Sequence, residues 1–227
     1  MSSSLYLFDI DGTLLSADDL HGRCLVKAAA QMFNVRPNPD KLNYAGMTDR
    51  QILTALLEEC GVVKGRIAAR IQECIEVSHS LFSRSAHQAE LVVLPGVQAL
   101  LTDLKAKSAS IGLVTGNIEI IARKKLEIAG LGDFFEHGGF GCESHSHRYE
   151  LVLSAVRKFQ ETRAAPEKIF VIGDTVRDIE AAREAKAISV AVATGRAGIE
   201  ELAAHNPDVL LRDLSNTEEF YLSIDNH

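Results

Sequence analysis

Five short apolar runs constrain this chain more than anything else in it: Leu5 to Phe8, Ile111 to Val114, Ile169 to Ile172, Ile188 to Val192 and Val209 to Leu211. Each is continuous rather than alternating, and all but the last are followed by residues with helical spacing. A strand with apolar side chains on both faces must be covered on both faces, as parallel sheets with crossover helices provide. The pattern therefore predicts an α/β fold, a three-layer Rossmann-like parallel sheet core with helices on either side.

The first three runs each end in a polar residue: Asp9, Thr115 and, beyond Gly173, Asp174. Ligands of open parallel sheets bind outside the carboxyl ends of the strands, so these side chains are expected to converge though far apart in sequence. About a hundred residues separate the first run from the second, far more than a crossover needs. From Ser16 to Glu90 the spacing is helical: Leu20, Cys24, Ala28 and Met32, then Ile52, Leu53, Leu56 and Leu57, then Ile67, Ile71, Ile75 and Leu81. Ser16 with Asp19 resembles a capping box, and Thr48 before Asp49 a second helix start. The expected division is an inserted helical cap domain over residues 16–90 and a core from residues 1–15 and 91–227. Hinges are placed near Leu15 to Asp18 and Gln88 to Leu94, and Pro95-Gly96 opens the helix that returns to the core.

With 46% hydrophobic and 24% charged residues in 227, the chain has the composition of a water-soluble globular protein. A formal charge of -7 speaks against nucleic acid or an anionic membrane as partner. The N-terminus lacks a basic segment and its apolar run stops at Asp9, so no secretory signal is expected and the protein is placed in the cytoplasm. Cys24, Cys60, Cys74 and Cys142 form no C-x-x-C pair and are expected to be reduced and mostly buried. Cys142 with His137, His145 and His147 fits no standard zinc spacing.

In Asp9-Ile10-Asp11-Gly12-Thr13-Leu14, alternate residues share a face, so the two carboxylates point the same way while Gly12 permits a tight turn. Such a pair needs a cation or a shared proton, unless both acids are simply solvated in an Asx turn. Thr115, Gly116 and Asn117 can cradle a phosphoryl group with a hydroxyl and free amides; Thr115 can equally cap the helix from Ile118 to Ala129. Asp178, four residues past Asp174, can support it or a metal-bound water, or both can be first-turn acids favoured by the helix dipole.

Together, D-x-D-G-T-L, a strand ending in T-G-N and G-D-x-x-x-D resemble, in order, the motifs of the haloacid dehalogenase superfamily of phosphohydrolases. Gly46-Met47-Thr48-Asp49 is similar to the G-x-T-D of helical caps in its phosphoglycolate-phosphatase-like branch, and Leu94-Pro95-Gly96-Val97 to the usual cap exit. The resemblance implies Asp9 as nucleophile and Asp11 as general acid and base. It implies Mg2+ held by Asp9, the backbone carbonyl of Asp11 and Asp174, with Asp178 in support. The family's lysine before the third motif has no counterpart; Arg148 is the residue chosen for its role, with Lys124 or Lys125 as alternatives. Thr48 and Arg50 are named as substrate-binding cap residues, beside His21 and Arg23. The implied activity is magnesium-dependent hydrolysis of a small phosphorylated metabolite, a phosphate monoester, by a monomer or homodimer. A phosphosugar mutase, a phosphonatase and a non-catalytic phospho-ligand binder stand as alternatives, whereas Asp11 argues against a true dehalogenase, whose leaving group needs no proton.

Overall fold

The structure is a computed structural model that describes residues 4–141 and 147–227. In chain order it comprises β1 (Ser4–Phe8), β2 (Leu15–Ala17), α1 (Leu20–Phe33), α2 (Asp49–Glu59), α3 (Lys64–Ser85), β3 (Leu91–Val93), α4 (Val97–Ala106), β4 (Ser110–Thr115) and α5 (Glu119–Ile128). There follow β5 (His137–Phe140), α6 (Arg148–Gln160), β6 (Lys168–Gly173), α7 (Val176–Glu184), β7 (Ile188–Val192), α8 (Ile199–Ala204), β8 (Val209–Leu211) and α9 (Thr217–Ile224).

All five apolar runs become strands of one parallel sheet in the order β5-β4-β1-β6-β7-β8. Successive side chains of a strand point to opposite faces. Tyr6 and Phe8 accordingly join Leu100, Leu126 and Phe220 from α4, α5 and α9, whereas Leu5 and Leu7 join Leu151, Ala155 and Ala182 from α6 and α7. The sheet is thus buried on both sides, as its continuous apolar strands require. The strands ending in the polar residues, β4, β1 and β6, are immediate neighbours, with Phe8 opposite both Leu113 and Ile172.

The edge strand β5 has no apolar run to announce it, because its centre is Gly138-Gly139, a pair with weak strand propensity. It forms where α6 lies so close that a Cβ on residue 139 would stand 1.9 Å from the Leu151 carbonyl oxygen.

The inserted helices α1, α2 and α3 have an apolar cluster of their own, built on Leu25, Phe33, Leu53, Leu57, Ile71 and Ile75. The expectation of helix from about Ser16 to Glu90 is corrected at its start, where Ser16 and Ala17 are strand, while at its end α3 stops at Ser85 and a 3-10 turn, Ala86–Gln88, precedes β3. β2 and β3 pair antiparallel, Leu15 with Val93, Ser16 with Val92 and Ala17 with Leu91, so the two connections form one ribbon. Ser16 is therefore extended, and α1 starts after Asp19 without a side-chain cap, so no Ser16–Asp19 capping box exists. Thr48 does cap α2, in a reciprocal box with Gln51. Cys24 and Cys74 are buried, Cys60 is half-buried, and all three are free thiols. Cys142 and His145, and with them the zinc reading, lie outside the described residues. Among the described residues no helix is long and apolar enough to cross a membrane.

Candidate active site

Asp9 is the first residue past the central strand. Its N–H donates to the Ile172 carbonyl at 2.9 Å, which fixes it against β6, and its Oδ1 accepts from Ile10 N–H at 2.7 Å. The chain then turns sharply, the Ile10 carbonyl accepting from the N–H groups of Thr13, Leu14 and Leu15. Gly12 makes this turn with φ +85°, and a Cβ there would lie 2.3 Å from Asp174 Oδ2. Only glycine meets both demands. Thr13 Oγ1 donates to Asp174 Oδ1 at 3.0 Å, which ties the β1 turn to the end of β6.

Asp9, Asp174 and Asp178 are all buried, each with a carboxylate oxygen within 4.8 Å of the others. Arg148, also buried at the start of α6, joins this group to the inserted segment. Its Nη2 donates to Asp9 Oδ2 at 2.6 Å, its Nε to Asp178 Oδ1 at 2.8 Å, and its Nη1 to the Gly46 carbonyl at 3.0 Å. One guanidinium does not neutralise three carboxylates. Burial, only partly offset by Arg148, pushes the Asp9 carboxyl up to about 6. Burial and the neighbouring Asp178 and Asp9 raise Asp174 well above the usual range. Burial acts to lower the Arg148 guanidinium, but the Asp178 and Asp9 carboxylates outweigh it and raise it above its ordinary value.

Buried like charges of this kind call for a cation. The donors are all oxygens, which suit a hard divalent ion. Asp9 and Asp174 fit as ligands. Asp178 fits as support, since its Oδ1 is held by Arg148 and its Oδ2 by the backbone and hydroxyl of Thr175.

Asp11 faces elsewhere. Lys125 Nζ donates to both its carboxylate oxygens at 2.8 and 2.7 Å, and Asn117 Nδ2 donates to Oδ2 at 2.7 Å. Burial raises this carboxyl, yet the Lys125 ammonium and the Asn117 amide prevail and hold it below the usual range. Its side chain stands outside the three-carboxylate group, so only its backbone carbonyl is left for a metal. Lys125 also lies 3.4 Å from His21 Nδ1. The other ring nitrogen of His21, Nε2, faces Asp49 Oδ2 at 3.4 Å without a well-aligned hydrogen bond.

Thr115 is fully buried at the end of β4, and its Oγ1 accepts from the Asn117 backbone N–H and side-chain amide. It does not cap α5. Ile118 occupies that position, and its N–H donates to Asp49 Oδ2, a carboxylate from the inserted segment, at 2.9 Å. Asp49 N–H in turn donates to the Gly116 carbonyl at 2.9 Å, so the starts of α2 and α5 are stitched together.

These residues surround a cavity of about 420 Å3 lined by Asp9, Asp11, Thr115, Gly116, Asn117, Arg148 and Asp174. Two expected substrate contacts are not in its lining. The Thr48 hydroxyl accepts from Gln51 N–H as the α2 cap, and Arg50 reaches back to Gln72 on α3. Their neighbours Met47 and Asp49 line the cavity instead. Of the remaining candidates, His21 is in the lining, Arg23 pairs with Asp18 at the surface, and Lys124 pairs with Glu127. Arg148 is no surface residue, and Lys125, weighed only as its alternative, is present as well with Asp11 as its partner. The sequence reading also missed Tyr44 and the loop Thr194-Gly195-Arg196. That loop follows the β7 run, so the same strand-end rule that found Asp9 and Asp174 points to it.

Residues 6–192 match the family model described as haloacid dehalogenase-like hydrolase. The chain is 26% identical over 226 residues to pyrophosphatase PpaX of Anoxybacillus flavithermus, covering 95% of each chain. It is 28% identical over 218 residues to phosphoglycolate phosphatase of Synechococcus elongatus, covering 92% of this chain and 93% of that one. Among solved structures, beta-phosphoglucomutase of Clostridium difficile shares the fold with a TM-score of 0.72 at 20% identity, over 100% of this chain and 98% of that one.

Proposed function

The chain belongs to the haloacid dehalogenase-like hydrolases, and we propose that within them it is a magnesium-dependent phosphatase acting on a small phosphate monoester through an aspartyl-phosphate on Asp9. The observation that carries this reading is Asp9 itself. It is buried at the end of the central strand, held by Arg148, and shares an acidic cluster with Asp174 and Asp178. The relatives named for pyrophosphate and phosphoglycolate support cleavage of a small phosphorylated compound.

In this reading Asp9 and Asp174, with the Asp11 carbonyl, hold Mg2+, which supplies the positive charge that lets an anionic nucleophile approach an anionic phosphoryl group. Arg148, the Thr115 hydroxyl and the Gly116 N–H donate to the phosphoryl oxygens, the Asn117 and Ile118 amides being held by Thr115 and Asp49. An Asp9 oxygen attacks phosphorus as the bond to the ester oxygen breaks; Asp11, ionised in the resting site, takes up a proton from solvent when the anionic substrate comes to lie beside it and gives that proton to the leaving oxygen. Asp11 then takes a proton from water as the water attacks phosphorus, releasing phosphate and restoring Asp9. Residues 16–90 act as a lid pivoting on the β2–β3 ribbon, shielding the acyl phosphate while it forms and admitting water afterwards.

The test is turnover of a set of small phosphate esters. Asp9→Asn should fold normally and lose at least about a thousandfold in kcat. Excess chelator should stop the wild type and magnesium should restore it. Full activity in either condition refutes the assignment.

A further inference from the structure

Four cationic or basic side chains line the cavity among the described residues: His21, Lys125, Arg148 and Arg196. Three are engaged with carboxylates. Lys125 holds Asp11, Arg148 holds Asp9 and Asp178, and His21 stands between Lys125 and Asp49. Arg196 differs. Among the described residues it makes no hydrogen bond and no ion pair, and its guanidinium rests on the ring of Tyr44, 5.4 Å from the centroid.

Its place in the site is fixed by the two residues before it. Thr194 Oγ1 donates to the Gly12 carbonyl at 2.6 Å, which pins the loop to the turn that carries Asp9 and Asp11. At Gly195 the backbone lies so near Asp174 that a Cβ would meet its Oδ2 at 1.7 Å. Arg196 therefore leaves the backbone one residue from the acidic cluster, and Tyr44 braces it from the inserted segment. A cavity of about 420 Å3 leaves room beyond a phosphoryl group for a small organic remainder. Of two further lining carboxylates, Asp18 is paired with Arg23 and Asp19 repels an anion, so an anionic remainder is drawn toward the Arg196 wall.

We propose that Arg196, braced on Tyr44, is the specificity-determining residue that receives a second anionic group of the substrate, making the enzyme selective for phosphoryl compounds whose remainder carries a carboxylate or a second phosphate. The proposal rests on the phosphatase reading above. A planar fork fits either anion in two-point fashion, and the ring beneath it limits the orientations it must give up on binding.

The experiment compares kcat/KM for phosphoglycolate, pyrophosphate and 2-hydroxyethyl phosphate, whose remainders carry a carboxylate, a phosphate and no charge. The wild type should favour at least one anionic compound over the neutral one. Arg196→Ala should lower that anionic-to-neutral ratio about ten- to a hundredfold, the range of one charge-assisted contact, mainly through KM. Arg196→Lys should recover part of the ratio, and Tyr44→Leu should lower it less than Arg196→Ala. Which of the two anionic ratios falls identifies the group received. A wild type with no anionic preference, or an Arg196→Ala ratio equal to the wild type's, overturns the proposal while leaving the phosphatase reading intact. Failure of the wild type with magnesium on all three compounds and on p-nitrophenyl phosphate removes both.

Discussion

The substitution that should silence this enzyme should also stabilise it. Asp9 is buried among other carboxylates, and its folded pKa stands at about 6 against an ordinary 3.8. For an acid, a raised folded value means that the folded state holds the proton more tightly than the unfolded one. Stability is therefore lost as pH rises from the ordinary value through about 6, and the deficit is complete above that. At about 1.4 kcal/mol per unit, a shift of roughly two units costs the metal-free protein about 3 kcal/mol at neutral pH. Asn is the same size and lacks the charge. Asp9→Asn in chelator near pH 7.5 should melt higher by up to roughly 10 °C, given about 2–4 °C per kcal/mol for a chain of this length. Near pH 4 the gain should shrink toward zero, because wild-type Asp9 is then largely neutral when folded. Saturating magnesium should raise the wild-type melting temperature and narrow the gap, since binding to the folded state alone at a hundred times Kd adds about 2.7 kcal/mol. Differential scanning calorimetry at the two pH values decides the matter. A variant that melts at or below the wild type near pH 7.5, or one whose advantage is independent of pH, refutes the argument that the acidic cluster is kept at the expense of stability.

Lys125→Met should unfasten Asp11 and slow hydrolysis of alkyl phosphates, whose leaving oxygen needs a proton, about tenfold more than hydrolysis of p-nitrophenyl phosphate, whose leaving group does not; equal losses on both refute a role through Asp11. Asp208 Oδ2 accepts from both the N–H and the hydroxyl of buried Ser189, at 2.8 and 2.7 Å, and although burial raises the carboxyl, these bonds bring it below its ordinary value. A depressed folded value gives stability that is present above the ordinary pKa and lost as pH falls below it. Asp208→Ala should accordingly cost about 1 kcal/mol or less in urea unfolding near pH 7, since solvent screens this exposed carboxylate, and less still near pH 3, and an equal cost at both refutes the charge-based reading.

The strands and the convergence of Asp9, Thr115 and Asp174 could be read from sequence because both follow from burial. Continuous apolar runs have only one economical covering, and strand ends in a parallel sheet share an edge. β5 could not be read, since its glycines answer to the approach of α6 rather than to any strand preference. β2 and β3, three residues each, are too short to show a period. Thr48 and Arg50 sit on the right helix, but the side of α2 that meets the cavity is set by the Asp49 contact with Gly116 and Ile118, which no local pattern encodes. Lys125 did leave a signal. It occupies the stripe of α5 that also carries buried Ile121, Ala122 and Leu126, and a lysine on an apolar stripe needs a buried partner.

The β2–β3 ribbon makes the chain modular. The outgoing and returning strands are each other's hydrogen-bonded partners, so the sheet meets everything between Ala17 and Leu91 as if it were a hairpin loop. Closing a loop costs only about 0.6 kcal/mol more for each doubling of its length, so shorter and longer inserts make nearly the same demand on these strands. A two-residue Asn-Gly turn joining Ala17 to Leu91 would close the same register. Descent could therefore lengthen, shorten or exchange the insert, and with it what reaches the catalytic edge, while the strands that carry Asp9 and Asp174 stay as they are.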